Sequence, residues 1–317
     1  MALLEVENLK VHYFTREGVI KAVDDVSFSV EKSEALGLIG ESGCGKTTIV
    51  SALMRFVKLP GRVLGGKIIF NGRDIVTMND EEMRLLRGEM ISISLQSAQN
   101  ALNPIIPIRG QISEKILEHE CVTKEEAWES AKKQLELVGL SGDNIKSYPH
   151  ELSGGMKQAA MIAIAAACNP KFLIVDELVS GLDVIIQRQL LTLINNLRRK
   201  WRPSMIFITH DLAVIAETCD NVAVMYAGKL VEQASAVSLY ENPMHPYSQA
   251  LIQAYPSTRG EKKQLRSIPG APPSLINPPT GCRFYPRCSY AMDVCQEMEP
   301  ALKKVDGHIV ACHLMQE

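Results

Sequence analysis

Apolar and polar residues alternate over residues 3 to 11 and again over 19 to 30, on either side of Thr15-Arg16-Glu17-Gly18. A period of two broken by turn formers predicts a pair of strands with one solvated face. The unbroken apolar run Ala35-Leu36-Gly37-Leu38-Ile39 predicts a strand covered on both faces, and a helical pattern begins after Gly45. Gly61, Gly65 and Gly66 then punctuate the chain before the strand Lys67-Ile68-Ile69-Phe70 and the turn Asn71-Gly72, which predicts a further hairpin. Asn79 as cap, with Asp80, Glu81 and Glu82 in the first turn, predicts a helix to about Arg87. Met90 to Leu95 reads as a strand that ends at Gln96.

From Ser97 to about Cys168 the pattern is helical, interrupted at Asn103-Pro104, Pro107, Gly139 and Tyr148-Pro149. Phe172 to Val175 returns to a buried strand, Val184 to Trp201 reads as a helix and Met205 to Thr209 as a strand. Alternating strands and helices predict an α/β core with a parallel sheet covered on both faces. With the antiparallel N-terminal part, the sheet as a whole is mixed. The expected division is a core of residues 1–96 and 169–231, an inserted helical subdomain 97–168, and an extension 232–317. Prolines at 243, 246, 256, 269, 272, 273, 278, 279 and 286 make that extension loop-rich, so it is expected to lack a core of its own.

Composition narrows the function classes. Among 317 residues, 46% are hydrophobic and 22% charged, as in a soluble globular protein, and the net charge of −2 gives no pull toward nucleic acid. Met1-Ala2-Leu3-Leu4-Glu5-Val6-Glu7 lacks the basic start and apolar block of a secretory signal, so the cytosol is expected. The longest apolar run, Ala159 to Cys168, is about half of the ~20 residues that cross a bilayer, so membrane association would come through a partner. The chain has eight cysteines, and Cys282, Cys288, Cys295 and Cys312 crowd into the last 36 residues. In the cytosol, disulfides are not expected to explain them.

The chemistry is concentrated in a few stretches. Gly40-Glu41-Ser42-Gly43-Cys44-Gly45-Lys46-Thr47-Thr48, between a strand and a helix, satisfies G-x-x-x-x-G-K-[ST]. Its glycines let successive backbone N–H groups face phosphate oxygens, Lys46 adds a cation, and Thr47 offers a hydroxyl to Mg²⁺. The alternative is a glycine-rich turn that binds nothing. Phe172 to Val175 delivers Asp176 and Glu177 to a strand end, where the first carboxylate can serve the metal and the second can act as general base. Ser153, Gly154 and Gly155 stand before an apolar helix and form either a second anion site or an N-cap. Tyr13, 27 residues before Gly40, is placed either to stack on a base or as an ordinary strand tyrosine.

Taken together, the glycine loop, Gln96, Leu152-Ser153-Gly154-Gly155-Met156, Asp176-Glu177, Ser180-Gly181-Leu182-Asp183 and His210 resemble, in order and spacing, the ATPase subunit of an ATP-binding cassette transporter, a P-loop NTPase. The resemblance implies Tyr13 against adenine, and Gln96 near Mg²⁺ and the attacking water. It also implies Asp183 coupling two sites, His210 at the γ-phosphate, and the Ser153–Gly155 element facing the nucleotide of a second cassette. Met156-Lys157-Gln158, Leu102-Asn103-Pro104, and the tail segments from Asn242 to Leu251, Ile268 to Pro273 and Gly281 to Cys288 are similar to the oligopeptide and dipeptide importers. That family implies a second, different ATPase subunit, two transmembrane permease subunits and an extracellular solute-binding protein, with this chain peripheral on the cytoplasmic side of the membrane. Related importers also move oligosaccharides or nickel. A soluble cassette outside transport would share the nucleotide motifs but not the tail. Leu178-Val179-Ser180-Gly181, in place of the usual Pro-Thr-type run, and Ala159 in place of a frequent Arg depart from the pattern without removing a nucleotide-facing group.

The late cysteines follow C-x₅-C-x₆-C-x₁₆-C, without the close C-x₂-C pairs of zinc ribbons. Four thiolates suit a [4Fe-4S] cluster, which some members of the peptide-importer family carry in this region, with structural zinc or unliganded thiols as the alternatives and His308 and His313 as substitute ligands.

Overall fold

The computed structural model describes residues 2–94, 101–178, 182–254 and 268–315. In chain order the strands are β1 (Ala2–Thr15), β2 (Gly18–Glu31), β3 (Ala35–Ile39), β4 (Gly61–Phe70), β5 (Arg73–Asp74), β6 (Ile91–Ser94), β7 (Phe172–Asp176), β8 (Ser204–Ile208), β9 (Asn221–Tyr226), β10 (Lys229–Ser235), β11 (Lys303–Val305) and β12 (His308–Val310). The chain divides into two compact units, Met1–Thr77 with Ile208–Glu317, and Met78–Phe207.

The first unit holds an antiparallel sheet in the order β2-β1-β4-β5, with β1 and β2 joined at the predicted turn. Its buried positions on β1 follow the predicted alternation in two runs, Leu4 with Val6 and Leu9 with Val11, separated by a bulge between Val6 and Leu9 that shifts the period. β4 starts well before the expected strand, because its glycines lie within the strand. Gly61 sits under the Tyr13 ring, where an added Cβ would come within 2.7 Å of Cε1, so a flat neighbour replaces the missing side chain.

A second set of strands in this unit runs β11-β12-β10-β9-β3, with β3 and β9 parallel and β9 and β10 forming an antiparallel hairpin. Here the extension departs from expectation. It enters the sheet through β10, and β12 pairs with β10 at Glu232↔Val310 and Gln233↔Ile309. Glu232, fully buried, accepts from the backbone N–H groups of Met244 (2.8 Å) and His245 (2.9 Å) and pairs with His308 Nδ1 at 2.7 Å. Tyr226, Tyr247 and Phe284 pack ring against ring with centroids 4.6 to 5.3 Å apart. The tail therefore has apolar contacts and a ladder of its own, which proline content alone concealed.

The second unit places β7 beside β6 in parallel register and beside β8, with helices Asp80–Glu89, Ile108–His119, Lys124–Leu137, Gly154–Ala166 and Val184–Trp201. Asn79 caps the first of these helices as expected, and Glu82 reaches back to complete a capping box. Lys115 is the polar tie of this unit. Its ammonium donates to Ser92 Oγ on β6 (2.8 Å) and to the carbonyls of Ile164 (2.8 Å) and Ala165 (3.1 Å), so a lysine caps the last turn of an apolar helix. Among the described residues no helix is long and apolar enough to cross a membrane.

Burial holds the Lys115 pKa down to about 8, from 10.5. Replacing Lys115 with Met strands those acceptors and should destabilise the protein by about 2 kcal/mol, read as a lower thermal midpoint. The pH dependence has a definite sign. Between pH 8 and 10.5 the unfolded chain holds the Lys115 proton and the folded one has lost it, so this residue's contribution to stability rises with pH in the wild type and is absent in Lys115→Met.

Candidate nucleotide site

β3 ends at Ile39 and the helix Lys46–Leu53 begins six residues after Gly40, so the intervening loop turns back over the sheet end. Two positions make the turn possible. Gly40 (φ +146) lies where a Cβ would stand 2.1 Å from the Met225 carbonyl oxygen, and Gly45 (φ +108) where it would stand 2.2 Å from that of Ala22. No side chain caps the first turn of Lys46–Leu53, so its N–H groups stay available to an anion at the positive end of the helix dipole. Ser42, Gly43 and Thr47 are exposed, and Thr48 is half-buried.

Lys46 is buried and donates to Gly40 O (2.7 Å), Glu41 O (3.1 Å) and Cys44 Sγ (3.4 Å). The ammonium thus lies against the loop's own acceptors. Burial pushes the Cys44 thiol pKa up although Lys46 opposes it, so this sulfur stays protonated. Tyr13, half-buried on β1, is stacked on Gly61 as described, and His210 is exposed just after Thr209 at the end of β8.

The second unit carries the remaining described candidates. Asp176 is buried at the C-terminal end of β7, and Glu177 beside it has φ +46, a left-handed conformation unusual for a side chain of this size. Ser153 caps Gly154–Ala166 by accepting from Met156 N–H at 3.3 Å, and Gly155 sits where a Cβ would meet Ile186 Cγ2 at 2.4 Å. Of the two readings of this element, the structure shows the N-cap. Asp183 caps Val184–Trp201 through Ile185 N–H (3.1 Å) and Ile186 N–H (3.0 Å). Gln96, Ser180 and Gly181 lie outside the described residues.

Sequence reasoning missed the residues that hold the loop from behind. Glu41, a variable position of the motif, forms a two-pronged ion pair with Arg287 at 2.6 and 2.9 Å, and its N–H donates to Tyr247 Oη at 2.8 Å. A signal was present, because Tyr247 and Arg287 lie in two of the three tail segments that resemble peptide importers.

The four late cysteines share one neighbourhood. The Cys282 thiol is affected by Cys295 and Cys312, that of Cys288 by Cys295, and that of Cys312 by Cys288 and Cys295. Burial raises Cys282 and Cys312 to about 11, while backbone N–H groups of Phe284 and Tyr285, of Tyr290 (3.4 Å) and of Leu314 oppose the rise at Cys282, Cys288 and Cys312. Among the described residues, however, no three His, Cys, Asp or Glu side chains are arranged to hold a metal ion. The fit to an iron–sulfur cluster or zinc is therefore limited to proximity and N–H···S bonding. His308 Nδ1 pairs with Glu232 and His313 Nε2 lies 2.9 Å from the Met298 carbonyl, so each ring has its other nitrogen left for a ligand.

Comparison with known proteins matches residues 23–180 to the ABC transporter family and residues 231–295 to the oligopeptide/dipeptide transporter C-terminal region. The chain is 43% identical over 315 residues to a probable peptide ABC transporter ATP-binding protein of Sinorhizobium fredii, covering 98% of this chain and 94% of the relative. It is 42% identical over 313 residues to the oligopeptide transport ATP-binding protein OppD of Escherichia coli, covering 98% and 93%. The fold matches the ATP-binding cassette MJ0796, solved as a dimer in a post-hydrolysis state with ADP and Pi, at a TM-score of 0.66 and 21% identity over 74% of this chain and 98% of that one. The chain belongs to the ATP-binding subunits of the ABC transporter family, in the group that carries the oligopeptide/dipeptide transporter C-terminal region.

Proposed function

We propose that this ABC ATPase powers the import of oligopeptides or dipeptides through two transmembrane permease subunits fed by an extracellular solute-binding protein. The observation that carries the solute class is the peptide-transporter C-terminal region at residues 231–295, together with near full-length likeness to peptide and oligopeptide transport proteins. With no membrane-crossing helix among the described residues, attachment at the cytoplasmic face would run through the permeases.

In this reading Gly40, Ser42, Gly43, Cys44 and Gly45 contribute backbone to the phosphate cradle. Lys46 moves from its loop carbonyls to the phosphates, Thr47 and Thr48 offer hydroxyls, and Tyr13 contacts adenine. Mg²⁺, held through Thr47, Asp176 and Gln96, would neutralise phosphate charge. Glu177 takes a proton from the attacking water, and His210 donates to the γ-phosphate. Ser153, Gly154 and Gly155 complete the nucleotide site of a second, different ATPase subunit, with Asp183 coupling the two sites. Support for a facing partner comes from Val184 and Ile185, 78% and 72% exposed directly after Asp183, where a chain without a partner would leave two large apolar side chains in water.

The late cysteines carry a separate part of the proposal, a [4Fe-4S] cluster with zinc as the alternative. Its support is that the late cysteines lie near enough to affect one another's thiols and that backbone N–H groups bond three of the sulfurs, since such bonds favour thiolates.

Two measurements test these roles. Glu177→Gln should retain MgATP binding and lose hydrolysis by about 100-fold or more, as expected for removal of a general base, and wild-type turnover would refute that role. Protein purified without oxygen should contain iron and acid-labile sulfide at about four each per chain, the stoichiometry of such a cluster. Zinc at one per chain without iron would replace it.

A further inference from the structure

Two chemically distinct parts of the first unit meet at one residue. Glu41 is the second residue of the glycine loop, and all three of its polar handles are occupied. Its carbonyl accepts from Lys46 at 3.1 Å, its N–H donates to Tyr247 Oη at 2.8 Å, and both carboxylate oxygens receive Arg287 at 2.6 and 2.9 Å. Arg287 precedes Cys288 and is itself fixed. Nε donates to the Pro269 carbonyl at 2.7 Å, Nη1 donates to Tyr226 Oη at 3.1 Å, and the guanidinium lies 5.7 Å from the Tyr226 ring centroid. Its side chain is 5% exposed and that of Glu41 25%, so water screens the pair only in part. The turn after Pro269 also reaches this region, where Pro272, Pro273 and Leu275 line a small cavity with Glu41, Ser42, Gly43 and Cys44.

We propose that Arg287 is a positioning residue for the nucleotide: by clamping Glu41 it fixes the loop carbonyls from which Lys46 is released, and so makes the cysteine-bearing extension part of the ATP site's affinity. An arginine fork suits this task because two parallel N–H···O bonds fix the orientation of the carboxylate, whereas a lysine would fix only its distance. With the clamp in place, the peptide at Glu41 holds one orientation and Lys46 leaves a preset position. Without it, that peptide can rotate, and nucleotide binding has to order the loop as well as fill it.

The inference rests on reading the Lys46 loop as the nucleotide cradle, and the test separates the two claims. Binding of a fluorescent ATP analogue is measured with Mg²⁺ on the full chain, alongside the thermal midpoint. Arg287→Met is expected to weaken affinity about tenfold, within the usual range of coupling between sites, and Arg287→Lys to fall between it and the wild type. Arg287→Met/Glu41→Met should be no weaker than the worse single variant, because the clamp is already lost. In the assembled transporter the KM for ATP should rise while kcat at saturation holds. If Arg287→Met does not fold, Glu41→Gln carries the same comparison with the arginine intact. A lower thermal midpoint with wild-type affinity in both Arg287→Met and Glu41→Gln, when Lys46→Ala abolishes binding, overturns the clamp alone. Wild-type affinity in Lys46→Ala overturns the cradle, and the clamp with it.

Discussion

The close approach of the glycine loop to strands of both sheets of its unit is the constraint from which the site follows. At Gly40 and Gly45 the backbone adopts φ values of +146 and +108 and presses against the carbonyls of Met225 and Ala22, on β9 and β2. Any side chain at either point would open the loop. The tight path turns the Gly40 and Glu41 carbonyls onto Lys46, and the start of Lys46–Leu53 carries no side-chain cap. A cation held by weak neutral acceptors beside uncapped donors is the arrangement on which the proposed polyphosphate cradle rests.

Much of this was legible in the chain because it depends on local chemistry. The alternation in β1 and β2, the buried runs of β3 and β7, the Asn79 helix cap and the glycine loop are short-range patterns, and short-range physics produced each of them. The glycines of β4 misled because a glycine under an aromatic ring and a glycine in a turn look alike in sequence. The extension misled for a related reason. Proline content reports the loss of local structure, but β12 pairs with β10 across some 75 residues of chain, and Glu232 meets His308 across |i−j| = 76. Such contacts leave no periodic trace.

The same distance effect hid the back of the nucleotide loop. Glu41 and Arg287 are 246 residues apart, and neither belongs to a pattern that names the other. What the sequence did contain was a loop of known chemistry and a tail of known resemblance, and the fold joins them through an arginine, a carboxylate and a tyrosine hydroxyl. The extension is therefore fastened to the sheet and to the phosphate loop by ordinary polar and apolar contacts, whatever its four thiols bind.

This arrangement fits an ATPase whose hydrolysis is coupled to work elsewhere, with the nucleotide loop answering to more than the nucleotide. The central claim is that the work is peptide import. It is tested most directly by uptake into vesicles that contain the complete transporter, with the solute-binding protein outside and ATP on the side of this subunit. Labelled dipeptide should accumulate only with hydrolysable ATP. ATP hydrolysis that accumulates nickel or an oligosaccharide and leaves dipeptide outside would contradict the account.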